Sequence, residues 1–414
     1  MKFGYCNVLI FLLIGLFSVA GFKPNAILGQ ETAVNQSSDS KKKESRISLL
    51  TVSPGTGDVA SIFGHSALRV KGVKGGEDIL YNFGTYSWDQ PNFLLNFLRG
   101  RLLYKVSKQY YGPFLNGYHA EQRSITEQTL QLTDQQEASI LSALAKNYRA
   151  ENREYLYEFF FDNCTTRLRD IISAGCEGDL DWAVSQDRYS FRDLLHQYTQ
   201  SNAWLTFGID LLVGSRTDQI ANQQQEMFLP DYLMFHLDQA TDGAGNPIVY
   251  SEHLVLDFQD KVEERKQKDT KWPLYLFGVF FLIEVFIFFK KYQNKSIHKV
   301  VIYWDRFWYF VLGLGGLVLL IMWVLTDHYT TKGNWNIMWL TPLYFGLLGR
   351  WKKSRILNYI IIASLILGGV LYAWSGQHGN IAFLPLIVMI ILKIIRNLFQ
   401  SELSTEANTQ LADS

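Results

Sequence analysis

Apolar and polar positions divide the chain into two stretches of different rhythm. Residues 46 to 270 mix short apolar runs with many charges, whereas from Trp272 onward long apolar runs alternate with short polar loops. The long runs cover roughly 274–289, 307–326, 337–348, 356–374 and 381–399, and most approach the ~20 residues a helix needs to cross hydrocarbon. The third is short and interrupted by Pro342, so it either begins earlier, near Asn334, or lies partly in the interface. Hydropathy therefore predicts a bundle of about five transmembrane helices over 272–400, followed by a polar tail over 401–414. Trp304, Trp308, Trp335, Trp339 and Trp351 at the ends of the runs fit interfacial belts, although Trp is also common in soluble cores. The charged stretch DFQDKVEERKQKDTKWP just before the first run ends at Pro273, which suits the first turn of a helix.

The stretch 47–265 carries the two periods of an α+β domain. After His65 the residues alternate, with Ala67 and Arg69 set against Leu68 and Val70. Gly72, Gly75 and Gly76 then mark a turn, and DILYNFGTY reads as a returning strand. This hairpin sets Asn82 roughly opposite His65. Around Cys164 the pattern is that of a helix start: Asp162 or Asn163 caps, Leu168, Ile171 and Ile172 form a buried stripe, and Gly175 stops the helix.

Charge adds an orientation. Short loops rich in Lys and Arg stay cytoplasmic, which places KKYQNKSIHK, GRWKKSR and the tail with Lys393 and Arg396 inside. The loops DHYTTKGNWN and AWSGQHGN, poor in positive charge, then lie outside, and so does the domain before Trp272. The N-terminus agrees, because Lys2 followed by NVLIFLLIGLFSVAG reads as an export signal over 1–27, either cleaved near Ala20 or kept as an anchor. Residues 28–46 are polar and without periodicity, as in a flexible tether. Overall composition, 48% hydrophobic and 15% aromatic, decides nothing by itself. The net charge of zero, with no basic cluster in the exported domain, excludes a nucleic-acid partner. Beyond Cys6 in the signal, only Cys164 and Cys176 remain, too few for a disulfide scaffold.

At the first turn of a helix, unpaired N–H groups and the helix dipole stabilise a thiolate, so Cys164 is the candidate nucleophile, with His65 as its base. The bland alternatives are a small core cysteine and a packed histidine, since spacing alone does not bring the two together. Cys176, in an acidic loop with no helix start, reads as structural. A bridge between the cysteines is excluded by a full intervening helix. His119, His196, His236 and His253 show no metal-ligand spacing.

Taken together, TVSPGTGDVASIFGHSALRV, DILYNFGTYSWDQPNFLLNFLRGRLLY, ENREYLYEFFFDNCTTRLRDII, FGIDLLVG and EMFLPDYL resemble the Lnb family of Bacteroidetes, lipoprotein N-acyltransferases. The likeness runs from about residue 48 to the end of the exported domain, and DHYTTKGNWNIMWLTPL resembles that family's outer loop. The resemblance implies a permuted papain-like, NlpC/P60-type exported domain, in which the histidine strand precedes the cysteine helix, followed by an α-helical membrane bundle. It implies Cys164 as nucleophile and His65 as base. For the third, orienting residue Asn82 is the candidate and Asp78 the reserve, the alternative for Asn82 being an amide that serves local backbone. It also implies a phospholipid as acyl donor, bacterial lipoproteins as acceptors, and a multi-pass protein of the bacterial inner membrane with the catalytic domain on the periplasmic side. The chemistry calls for no metal or other cofactor.

Several polar residues stand beside this core. Arg167 and Arg169, and Arg99 with Arg101, offer phosphate recognition or ordinary salt bridges. Asp327, His328, Asn334 and Asn336 on the outer loop either bind a head group or form a wet loop. Glu284, within the first apolar run and without an obvious partner, is either functional or protonated and structural. Two other classes compete with acyl transfer: a membrane-anchored cysteine peptidase or amidase of the cell wall, and a non-enzymatic binding or scaffold protein.

Overall fold

The computed structural model describes residues 46–56, 59, 61–73, 76–176, 180–182, 188–243, 245–265, 271–290, 295–349, 352 and 354–412. The export signal and nearly all of the tether lie outside the described residues. The chain divides into two compact units, one formed by the stretch up to Arg188 together with Ala221–Gln267, the other by Tyr189–Ile220 together with Lys268–Ser414.

In chain order the elements of the first stretch are β1 (Arg46–Val52), β2 (His65–Val73), β3 (Glu77–Thr85), α1 (Phe93–Arg99), β4 (Leu103–Tyr110), α2 (Tyr111–Ala120), β5 (Ile125–Leu130), α3 (Asp134–Tyr148), β6 (Glu154–Leu156) and α4 (Cys164–Gly175). After them come α5 (Phe191–Thr199), α6 (Ala203–Leu212), α7 (Gln223–Glu226), α8 (Pro230–Asp238), β7 (Val249–Leu256) and α9 (Gln259–Arg265). All but α5 and α6 belong to the first unit.

The first unit is an antiparallel sheet of seven strands in the order β6-β4-β3-β2-β1-β5-β7, so the expected hairpin of β2 and β3 lies at its centre. Both sheet faces are covered, and the burial is unequal. The larger core gathers Leu49, Leu68, Val70, Phe83 and Val106 with Ile140 and Leu144 of α3, Leu168 and Ile172 of α4, and Leu233 and Leu237 of α8. The smaller packs Leu50, Val52, Ala67, Leu80 and Ile125 against Phe114 of α2. The predicted stripe of α4 is buried, but Gly175 does more than end the helix: a Cβ there would stand 2.2 Å from Ile140, so only glycine lets α3 and α4 approach this closely.

In the second unit α10 (Trp272–Phe289), α11 (Lys295–Val324), α12 (Arg355–Ser375) and α13 (Phe383–Ala412) are the long helices, and among the described residues four helices are long and apolar enough to cross a membrane. The expected third helix is corrected. Its run forms 3-10 segments at Trp335–Met338 and Pro342–Leu348, with Pro342 at the start of the second. This segment lies along α11 from end to end: Trp335 meets Trp323 at 5.2 Å, Phe345 meets Phe310 at 6.1 Å, and Lys352 pairs with Asp305 at 2.8 Å. Glycines on α11 make room for it, since a Cβ on Gly315 would stand 2.8 Å from Leu340 and one on Gly316 2.4 Å from its carbonyl.

Glu284 is also clarified. It is fully buried and ion-paired to Lys393 at 2.6 Å and Arg396 at 2.9 Å, and Trp304 Nε1 donates to it at 2.9 Å. Lys393 and Arg396 both reach Asp305 as well. They are buried helix residues of α13, not a basic tail, and so give orientation less support than their place in the sequence implied.

The stretch 189–220 departs from the expected single domain over 47–265. Phe207 of α6 packs on Phe277 and Phe383 at 5.2 and 5.3 Å, and Asn336 Nδ2 donates to the carbonyls of Asp210 and Leu211 at 3.0 and 3.1 Å. Gly214 N–H donates to Thr330 O at 2.8 Å, where a Cβ on Gly214 would stand 2.1 Å from Lys332 O. Buried Arg192 holds Asp210 and Asp218, and Asn380 and His378 from the loop between α12 and α13 close on the same two carboxylates.

Candidate active site

The site is built outward from Asn163. Its side-chain oxygen accepts from the N–H groups of Thr165 and Thr166 at 2.8 and 2.9 Å, while its Nδ2 donates to the carbonyls of Phe159 and Phe228, both at 2.8 Å. Asn163 is therefore the cap of α4, and Cys164 takes the first helical position. Of the two caps the sequence allowed, Asp162 instead receives Arg167.

The opposing wall comes from the sheet. Pairing of β3 with β4 shifts register between Asn82 and Thr85, and Gly84 at that bulge adopts a left-handed φ of +87°. A Cβ on Gly84 would stand 3.6 Å from the Cys164 Cβ, so a residue free to take this conformation lets the strand close on the thiol.

His65, at the start of β2, has its Nε2 3.2 Å from Asn82 Oδ1, and Asn82 Nδ2 donates to Gln109 Oε1 at 3.2 Å. Asn82 is buried and held from both sides, which leaves the other ring nitrogen of His65 for its hydrogen bond to Cys164. Burial by itself raises the Cys164 thiol. The charge and hydrogen bond of His65 outweigh it, aided by the Thr165 hydroxyl and the Ser66 N–H, and bring the thiol down to about 7. Burial opposes the charged form of His65 too, yet the thiolate beside it and the bond to Asn82 hold the imidazole above its ordinary range, against the repulsion of Arg123. The two groups thus favour an ion pair over two neutral partners.

Beside His65 a cleft of about 360 Å3 is lined by His65, Asn82, Gly84 and Gln109 from the sheet and by Phe114 and Tyr118 of α2. Arg123 stacks over Tyr118 and donates from Nε to Ser53 O at 2.8 Å, which fixes the buried cation that His65 senses.

The remaining sequence candidates fall into place singly. Asp78, the reserve for the orienting role, is committed to Arg69 at 2.6 Å. Arg167 is gripped by both oxygens of Asp162 and stacks at 3.6 Å over Tyr155, which makes it a packed ion pair. Asn334 is buried with its Nδ2 on the carbonyls of Leu211 and Leu212, so it ties the loop after α11 to α6. On the same loop Asp327 is exposed and His328 half-buried, its carbonyl accepting from Thr331. Cys176 is a buried free thiol pushed up to about 11 by burial and then by Asp242. Sequence reasoning missed Gln109 and Gly84. Alternation in LYKVSKQY was the one signal for Gln109, and it has meaning only once β4 is known to pair with β3.

An antiparallel α+β domain that brings a cysteine, a histidine and an asparagine together, in one chain with a set of membrane-length helices, defines a membrane protein with a candidate thiol site. Residues 34–197 match the family described as the Lnb N-terminal periplasmic domain, and residues 265–404 match the Lnb transmembrane domain. The chain belongs to the Lnb family. No curated protein and no solved structure gives a match.

Proposed function

We propose that this protein is a lipoprotein N-acyltransferase of the bacterial inner membrane, working on the periplasmic side. The observation that carries the reading is the placement of Cys164 at the head of α4 beside His65, whose Nε2 lies 3.2 Å from Asn82 Oδ1, an arrangement that lowers the thiol pKa. The substrates in this reading, a phospholipid as acyl donor and the α-amine of a lipoprotein's diacylglyceryl-cysteine as acceptor, are those the sequence resemblance implies. The histidine strand preceding the cysteine helix supports a permuted papain-like, NlpC/P60-type domain.

The chemistry runs in two halves. The Cys164 thiolate attacks the ester carbonyl of the phospholipid, and the S–C bond forms as the carbonyl electrons move to oxygen. When the tetrahedral species collapses, the ester C–O bond breaks and the lysophospholipid oxygen takes the His65 proton. The lipoprotein amine then attacks the thioester carbonyl, His65 accepts the amine proton, and the amide forms as the thiolate leaves. In this reading the Cys164 backbone N–H, at the helix start, helps hold the oxyanion, a contribution of about 2.7–4 kcal/mol in comparable sites. Among the described residues no group of His, Cys, Asp and Glu is arranged to hold a metal.

Mass spectrometry of lipoprotein N-termini from cells with and without this protein tests the proposal. The N-linked chain is expected to vanish without it and to return with the wild-type chain but not with Cys164→Ala. Triacylated N-termini in the cells lacking it would overturn the reading.

A further inference from the structure

The short helix α1 is unusual in burying none of its residues. Its sequence is FLLNFLR, with Leu94, Leu95 and Phe97 exposed by 38, 48 and 44%. Left-handed residues bound it at both ends, Asn92 and Gly100, so it stands as a defined turn. Around it Tyr86, Trp88 and Leu103 are exposed as well, while Arg99 and Arg101 flank it. Such a cluster, aromatic and aliphatic with basic residues at its edge, has the chemistry of a surface that lies in a lipid interface. A bilayer is within the domain's reach, because the same chain carries four membrane-length helices.

Behind the cluster a line of rings leads inward. Phe97 stacks on Phe93 at 6.3 Å, Phe93 meets Tyr86 at 6.0 Å, Tyr86 meets Tyr104 at 5.2 Å, and Tyr104 stacks on Tyr157 at 4.3 Å. Tyr157 in turn flanks Gly84, the residue against which Cys164 packs. Burial holds the phenols of Tyr104 and Tyr157 well above their ordinary range, so both stay neutral.

We propose that α1 docks into the phospholipid bilayer through Leu94, Leu95 and Phe97, and that the ring line from Phe93 to Tyr157 leads a lipid acyl chain from there to Cys164. The second half rests on the acyl-transfer reading; the first does not.

The test uses the full-length chain in vesicles of phosphatidylethanolamine and phosphatidylglycerol. An environment-sensitive fluorophore is attached at Leu95→Cys in a Cys164→Ser background, and the same background without Leu95→Cys reports any labelling of Cys176. Docking predicts blue-shifted emission quenched by lipids brominated on their acyl chains. Quenching by aqueous iodide alone overturns it. A blue shift insensitive to brominated lipid also overturns it, because that signals a protein partner. In a second arm, Leu94→Gln, Leu95→Gln and Phe97→Gln are combined in the otherwise wild-type chain. Alkylation of Cys164 is expected to be unchanged, while N-acylation of a diacylated lipopeptide falls about tenfold or more, the scale of losing one or two apolar side chains from lipid. Acylation at the wild-type rate overturns the delivery role. Acylation that survives Cys164→Ala instead overturns the acyl-transfer reading and leaves the fluorescence result standing.

Discussion

At Cys164 two opposed effects meet, burial that penalises the thiolate and an imidazolium that rewards it, and the second prevails. Alkylation of Cys164 by iodoacetamide is therefore expected to rise with pH through a midpoint near 7, with reactivity lost as pH falls below it. In His65→Ala the burial remains and its compensation is gone, so the midpoint is expected to move above the ordinary thiol value of about 8.5. An unmoved midpoint would show that the helix start acts without the histidine. Cys164→Ala, Cys164→Ser and His65→Ala are expected to abolish acyl transfer, Cys176→Ser to retain it, and Asn82→Ala to leave a reduced but measurable rate, all read by lipopeptide acylation. Much of this was visible from single positions, because a cap before a helix and an alternating strand are local patterns. Gln109 and Gly84 were not, since the first acts through Asn82 on a strand paired only in the fold and the second through a bulge.

Helix α4 shows how one cap serves both an element and a site. Asn163→Ala removes the acceptor for two N–H groups and leaves the carbonyls of Phe159 and Phe228 without their donor. The expected loss is about 1–2 kcal/mol from the cap, more with the buried carbonyls, together with a raised alkylation midpoint. Thermal unfolding paired with the alkylation profile checks it; lost stability with an unmoved midpoint would separate the cap from the thiol. Elements with regular periods were read well from the sequence, including the central hairpin and α4. The run 337–348 was not, because a mostly apolar run of twelve residues carries no signature that separates α from 3-10 geometry. Rise per residue explains why so short a run serves. A 3-10 segment climbs about 2.0 Å per residue against 1.5 Å for an α-helix, so fewer residues reach as far. The glycines of LGLGG on α11 were the sequence signal for a close neighbour.

Across the whole molecule, charge is buried where hydropathy would least place it. Glu284 and Asp305 meet Lys352, Lys393 and Arg396 among the long helices, the five residues coming from four separate parts of the chain. Glu284→Gln strands buried cations and is expected to cost about 3–5 kcal/mol, seen as a lower unfolding temperature in detergent, with Cys164 alkylation in the native protein unchanged. An undiminished unfolding temperature would show the cluster to be dispensable. For topology, a cysteine placed at Asp327 is expected to be labelled from outside and one at Lys295 protected, and the reverse pattern would invert the bundle. The apolar runs announced this unit, but the membership of 189–220 was hidden because Asp210 and Asp218 find partners more than a hundred residues later, in Asn380 and His378. That interruption has a consequence for how the chain is made. During synthesis from the N-terminus, α5 and α6 leave the ribosome before the loops that will hold them exist, and the sheet must close through β7 around a segment still waiting. Ala203–Leu212, a short and mostly apolar helix, is then a natural client for a chaperone in the interval. A fragment ending at residue 265 leaves that wait without an end, so a soluble version of the sheet domain needs 189–220 replaced by a short polar link.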